Sequence, residues 1–192
     1  TRNLIPNTNQ GKTGWQYAYA DNASAFKVED FNALGVNAVK LTCTATSGGC
    51  GSYICHSINR KLIKNNTKYT LAFDVYSNVT DNHGVLLISG SGLYPLGNFG
   101  SFTTKANNWV HVEIKCTTNG ETSNGQVLYF TLFNRIGEVV FANLQMVEGD
   151  KIGTWSPDPE DVQAQFKAVT TSLTEQSQRL LEQAGIINSQ GQ

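Results

Sequence analysis

The sequence predicts a mainly β protein: an antiparallel jelly-roll β-sandwich followed by a long C-terminal α-helix with a coiled-coil seam. Two observations predict the sandwich. Short runs of alternating apolar and polar residues recur as far as Gly149, and Asn, Gly and Ser turns separate them with no helical period between. Roughly nine to eleven such runs with no intervening helix fit an antiparallel sandwich and exclude a parallel α/β enzyme. The third observation predicts the helix: beyond Asp158 the apolar spacing changes to steps of four and three.

Taken in order, Arg2 to Thr8 reads as a first edge strand that Pro6 stops. After a turn over Gln10 to Gly14, alternation puts Trp15, Tyr17 and Tyr19 on one side of an extended segment, as a strand edge against the core or as an aromatic platform. Val39, Leu41, Cys43 and Ala45 alternate inward against Lys40, Thr42 and Thr44. A glycine-rich loop, Thr46 to Ser52, then leads into a strand from Tyr53 to Ile58. The segment from Tyr69 to Tyr76 puts Leu71, Phe73 and Val75 on one face, and Gly84 to Ile88 is a fully apolar strand. Ser89 to Gly100 reads as a glycine-rich loop carrying Leu93, Tyr94, Leu96 and Phe99. Trp109, in the core or at a strand start, opens the alternating run to Cys116. After the turn Asn119 to Gly125, the runs Gln126 to Asn134 and Glu138 to Val147 form the last pair.

Asp158 is an N-cap residue, Pro159 fits the first helical position, and Glu160 and Asp161 favour the helix N-terminus electrostatically. The spacing predicts a seam with Phe166, Leu173 and Leu180 at a and Val162, Val169, Gln176 and Gln183 at d, which leans toward a parallel homotrimer. Gly185 fits the residue just past the helix end, with Leu181 and Ile186 as the apolar contact of the cap. The expected organisation is therefore a sandwich over residues 1–156, a coiled-coil helix over 157–185 and the start of a further segment over 186–192, with both ends reading as cuts in a larger protein.

The 14 basic and 15 acidic residues leave a formal net charge of −1, so charge favours neither nucleic acid nor an anionic membrane surface. No apolar run is long enough to insert in a bilayer. Polarity comes instead from Asn, Thr, Ser, Gln and Gly, a composition suited to an extracellular or virion surface. Of the four cysteines, Cys43 and Cys116 fall at inward positions and read as buried thiols. Cys50 and Cys55 either remain thiols or close a short disulfide, and no second ligand pair supports zinc.

Nothing in the chain spells catalysis. It has no nucleophile elbow, phosphate loop, zinc-protease helix or dinucleotide fingerprint. His56 on a strand, His83 in a turn and His111 on a strand's polar face lie apart from other ligand types, and Asp74, Glu113 and Glu138 lie singly on strands. The expected function is non-enzymatic and needs no cofactor; a structural calcium ion is compatible with such a sandwich, but no calcium motif is written in the chain. Aromatic rings beside amide and hydroxyl side chains suit saccharides, because a ring covers the C–H face of a pyranose while polar groups meet its hydroxyls.

The opening Arg2-Asn3-Leu4-Ile5-Pro6-Asn7-Thr8, the strand Tyr69-Thr70-Leu71-Ala72-Phe73-Asp74-Val75 and the closing stretch carry a family resemblance. Leu144-Gln145-Met146-Val147-Glu148-Gly149 followed by Trp155-Ser156-Pro157-Asp158-Pro159-Glu160-Asp161 resembles the end of the carbohydrate-binding-module-like jelly-roll domains of phage tail, baseplate and tail-fibre proteins. Those domains end in Lys-Leu-Glu-x-Gly and Trp-x-Pro-x-Pro-Glu-Asp patterns before a helix. The first is altered here except for its glycine and spacing. The signature is structural: Trp155 packs the crossing chain and the prolines aim the helix. The resemblance implies a receptor-binding module on a phage or prophage virion, acting outside the host cell, with cell-surface saccharide and other tail proteins as partners. A tail spacer or docking domain and a module of a secreted glycoside hydrolase are the other readings. The saccharide-contact candidates, chosen for their place beside glycine-rich loops, are Trp15, Tyr17, Tyr53, Tyr94, Asn98, Asn134 and Arg135.

Overall fold

The computed structural model describes residues 2–45, 48–89, 94–119 and 126–190. The chain divides into two compact units between Asp158 and Pro159. In the first unit the strands are β1 (Trp15–Tyr19), β2 (Phe26–Ala33), β3 (Val36–Cys43), β4 (Tyr53–Ser57) and β5 (Lys68–Ser77). They continue with β6 (Asn82–Ser89), β7 (Tyr94–Thr103), β8 (Asn108–Thr117), β9 (Val127–Thr131) and β10 (Gly137–Glu148). They form two five-stranded sheets, ordered β1-β4-β9-β6-β7 and β2-β3-β10-β5-β8, with every strand pairing antiparallel. This is the jelly-roll-like sandwich that the alternation predicts.

The core lies between the sheets because one residue in two turns inward. Val39, Leu41 and Cys43 of β3 and Leu71, Phe73 and Val75 of β5 are buried, as their alternation requires. Phe73 meets Phe102 and Phe130 edge to face, with ring centroids 5.0 and 5.8 Å apart. Phe141, from the central strand β10, packs against both Phe73 and Phe130. Edge-to-face rings satisfy each other's quadrupoles as well as burying area, so this layer binds the sheets together.

Several expectations need correction. Arg2 to Thr8 is not a strand. The Asn3 side chain stands in for a ladder: its amide donates to the carbonyls of Leu144 and Ser156, and its oxygen accepts from the backbone N–H of Ile5 and Met146. Strand β2 is an additional element; it forms a hairpin with the expected β3, turned by Leu34 and Gly35, both at positive φ as a two-residue type I′ turn demands. Tyr94 to Gly100 belongs to β7 rather than to a loop, because pairing with β6 overrides the low strand propensity of its glycines. Residues 90–93 of that expected loop, and 120–125 of the turn before β9, lie outside the described residues. His83 sits inside β6 and is buried, not in a turn.

Cys43 is not a free thiol: it is bonded to Cys50, and Cys55 stays free. The inward side of β3 brings Cys43 to the buried Cys50, whereas Cys55 belongs to the opposite sheet, one position before the inward His56. Cys116 is a free buried thiol as expected.

In the second unit, α1 runs from Pro159, immediately after Asp158, to Gln190. It passes through Gly185, where a cap was expected; a lone glycine costs a helix about 1 kcal/mol but does not end it when helix-compatible residues follow. The Ile186 side chain, proposed for that cap, lies outside the described residues. The seam residues Val162, Phe166, Val169, Leu173 and Leu180 are exposed, Phe166 most at 74 %. No described helix is long and apolar enough to cross a membrane.

Candidate functional site

The outer face of the sheet β1-β4-β9-β6-β7 carries a run of stacked tyrosines. Tyr19 of β1 stacks on Tyr53 of β4 with centroids 5.4 Å apart, and Tyr53 stacks on Tyr129 of β9 at 4.6 Å. Register explains the run: Tyr19 pairs with Tyr53, Tyr53 with Thr131, and Tyr129 with Cys55, so the three rings rise from two adjacent rows of one face. The second row continues through Leu86 of β6 to Asn98 of β7, about 10 Å beyond Tyr129. In the first row, Gly84 donates its N–H to Thr131 Oγ1 at 2.6 Å, and its missing side chain keeps the face low beside the rings.

A bulge decides which aromatics belong to this face. β1 shifts register between Trp15, opposite His56, and Tyr17, opposite Cys55. One extra residue in β1 thus breaks the alternation, and Trp15, half-buried, packs against the core, edge-on to His56 at 4.7 Å and against Phe130 and Phe141. The expectation of three aromatics on one side of β1 therefore fails at Trp15, whose ring packs on the core side of the sheet. Tyr53 lies on the face, and so does the exposed Asn98, which belongs to β7 rather than to a loop. The side chains of Tyr17 and Tyr94 lie outside the described residues.

Asn134 and Arg135 follow β9 and are exposed at the rim beyond Thr131, with Arg135 Nε 4.0 Å from Asp81. The rim is built by close backbone approach: a Cβ on Gly49 would collide with the peptide joining Asn134 and Arg135. The same loop is held by the Cys43–Cys50 bond and by Asp21, whose N–H donates to the Cys50 carbonyl at 2.7 Å. Asp21 also accepts a hydrogen bond from the Tyr19 hydroxyl at 3.1 Å. The disulfide thus fixes the wall beside the outermost ring.

Below the rings the chemistry is inert. Burial pushes the Cys55 thiol up to about 11, so at neutral pH it is a protonated apolar group. Burial, and secondarily Cys55, raises Tyr129 too, so its hydroxyl keeps its proton and can donate. Burial lowers His56 to about 4, which leaves it neutral under Trp15. Such a face offers ring edges, phenol hydroxyls and amides for recognition. Tyr19 and Tyr129 do not stand out by proximity to glycine-rich loops, although Leu128-Tyr129-Phe130 alternates plainly; Tyr129 is the outward residue between two inward ones.

No family model matches the sequence, and no curated protein does. Solved structures match the fold. The N-terminal cellulose-binding domain of Cellulomonas fimi β-1,4-glucanase C has a TM-score of 0.55 at 14% identity, over 74% of this chain and 93% of that one. A family 16 carbohydrate-binding module matches at 0.51 with 17% identity, over 76% of this chain and 100% of that one. The enzymatically active domain of tailspike protein 4 from bacteriophage CBA120 matches at 0.60 with 10% identity, over 77% of this chain, which spans only 21% of that chain. The first unit therefore has the fold of carbohydrate-binding modules.

Proposed function

We propose that the sandwich is a non-catalytic saccharide-binding module, that Tyr19, Tyr53 and Tyr129 are the centre of its binding face, and that α1 presents it as a homotrimer on a phage or prophage tail protein. The observation that carries the first part is the three-tyrosine stack on one exposed sheet face. Stacked phenols are stiff, so a sugar ring meets a preformed surface and little ordering entropy is lost on binding. Asn98 and Thr131 stand on the same face and Asn134 and Arg135 at its rim, within reach of ring hydroxyls. Likeness to binding modules and to a tailspike domain supports the class and the setting.

The exposed seam from Val162 to Leu180 supports the trimer. Five apolar side chains in heptad register become buried when copies wrap together, and three weak sites on one cell surface gain avidity of about 100-fold or more. The host-cell surface is the place of action on this reading, and the other tail proteins are its neighbours in the virion.

The test is a glycan array and calorimetry on the full chain beside Tyr53→Ala and Tyr129→Ala. The expected result is binding that each substitution weakens about tenfold or more, since each removes a ring worth about 1–3 kcal/mol of contact. An array blank for the intact chain would leave the module a spacer or docking domain of the tail.

A further inference from the structure

The opposite sheet carries a second concavity that the tyrosine face does not use. A cavity of about 370 Å³ opens on the outer face of β5, β8 and β10, and Ala72, Asp74, His111, Asn143, Gln145 and Trp155 line it. Its size is at the small end of ligand pockets, enough for one or two sugar rings.

Its polar groups are tied together in advance. His111 Nδ1 is 2.8 Å from Asp74 Oδ1, and the Asn143 amide donates to Asp74 Oδ2 at 2.8 Å. Asn143 stands at positive φ on a β10 bulge, between Ala142 and Gln145 in the register with β5. Asn9 holds it there twice, accepting from its backbone N–H and donating to its side-chain oxygen, both at 2.8 Å. A bulge re-aims a side chain, and here it turns Asn143 onto the carboxylate.

The apolar side is equally fixed. The Trp155 indole N–H donates to the Leu144 carbonyl at 3.0 Å and to Thr8 Oγ1 at 3.2 Å. With that edge committed to the chain, the carbon part of the ring remains for the cavity. Ala72 faces Gln145 and Glu113 across the register, and its single methyl leaves the floor open. One side-chain repeat along the same strands, about 7 Å away, Tyr76 packs on Trp109, which is 38 % exposed.

The chemistry of this lining selects the ligand. No lysine or arginine lines it, so it has no counter-charge for a phosphate or a carboxylate. Its one carboxylate already accepts from two side chains, and no group of three metal-ligating side chains occurs among the described residues. What remains is an indole surface beside fixed acceptors and donors, complementary to a ring with C–H on one face and hydroxyls at its edge.

We infer that the cavity between Trp155 and the Asp74–His111–Asn143 cluster is a second binding site, for the end of a short neutral saccharide, on the sheet opposite the tyrosine face. The site stands independently of that face, and the two share only a ligand class.

The indole N–H signal of Trp155 reports on it directly in ¹H–¹⁵N correlation spectra of the full chain, assigned through Trp155→Phe. Glucose, galactose, mannose, xylose, N-acetylglucosamine and their disaccharides serve as probes, to about 50 mM, where millimolar binding saturates. At least one is expected to shift the Trp155 signal saturably, together with amides of Asn143, Gln145 and His111. Ala72→Ile, which fills the floor with a strand-compatible side chain, and Asp74→Ala are each expected to weaken the effect about tenfold or more. Tyr53→Ala is expected to leave it unchanged, which separates failure here from failure of the tyrosine face. Absence of any saturable shift at Trp155 across the panel overturns the inference. So does unchanged affinity in a folded Ala72→Ile chain; where that variant does not fold, the wild-type map decides, and shifts confined to the tyrosine sheet count against the site.

Discussion

The two sheets have different outer faces. The first is built by register: Tyr19, Tyr53 and Tyr129 come from neighbouring strands and stack on one another. The second is built by a crossing chain: small residues, Ala38, Val140 and Ala142, cover its middle, and Trp155 is laid against it from beyond the last strand. A face made by strand pairing is as stable as the sheet, whereas a face made by a crossing segment is as stable as the few bonds that hold that segment. The faces therefore answer differently to the same perturbation.

The largest expected effect is one that abolishes the comparison. Phe141 is buried between the sheets against Trp15, Phe73 and Phe130, and Phe141→Ala is expected to cost about 3–5 kcal/mol in urea unfolding and to weaken both faces together. Loss at one face alone would show that the sheets unfold separately.

Acid should act through the first sheet. His56, with its folded value near 4 against an ordinary 6.5, is fully buried on the first sheet, and His83 of the same sheet is also lowered by burial. The unfolded chain takes up a proton between about 6.5 and 4 that folded His56 refuses. Stability is therefore full above about 6.5 and falls as pH drops toward 4, by about 3 kcal/mol from His56. Urea unfolding at a series of pH values between these limits measures the fall. Replacing His56 with a neutral glutamine should flatten the pH dependence, and an unchanged slope would put its origin elsewhere.

Next comes the disulfide. Cys43 and Cys50 are seven positions apart, and opening so short a loop is expected to cost about 2–3 kcal/mol. Thermal unfolding of the double serine variant measures this. Saccharide binding at the tyrosine face should weaken with it, because the loop beside Tyr19 and Tyr53 is released, while the Trp155 indole signal should stay in place.

The smallest effect sharpens the second face. Asn9→Ala removes both bonds that hold Asn143 and is expected to cost about 1–2 kcal/mol, with the change in chemical shift centred on Asp74, His111 and Asn143. The tyrosine signals are expected to stay put.

Much of this protein is legible in its residues taken by themselves. Alternation marks the inward side of β3, β5 and β8, and the change of period after Asp158 marks the helix, because burial and helical geometry each leave a fixed repeat in the chain. Tyr129 was legible by the same rule. Other features depend on partners distant in sequence. A bulge sends Trp15 inward, the pairing of β7 with β6 makes a strand of glycine-rich residues, and the sheets bring Cys43 to Cys50 rather than Cys55 to Cys50. Asp74, His111 and Asn143 look solitary along the chain, and antiparallel pairing makes them a cluster. Local periodicity is written residue by residue; register, bulges and the meeting of distant side chains are set only when the strands pair, and both faces are made of those.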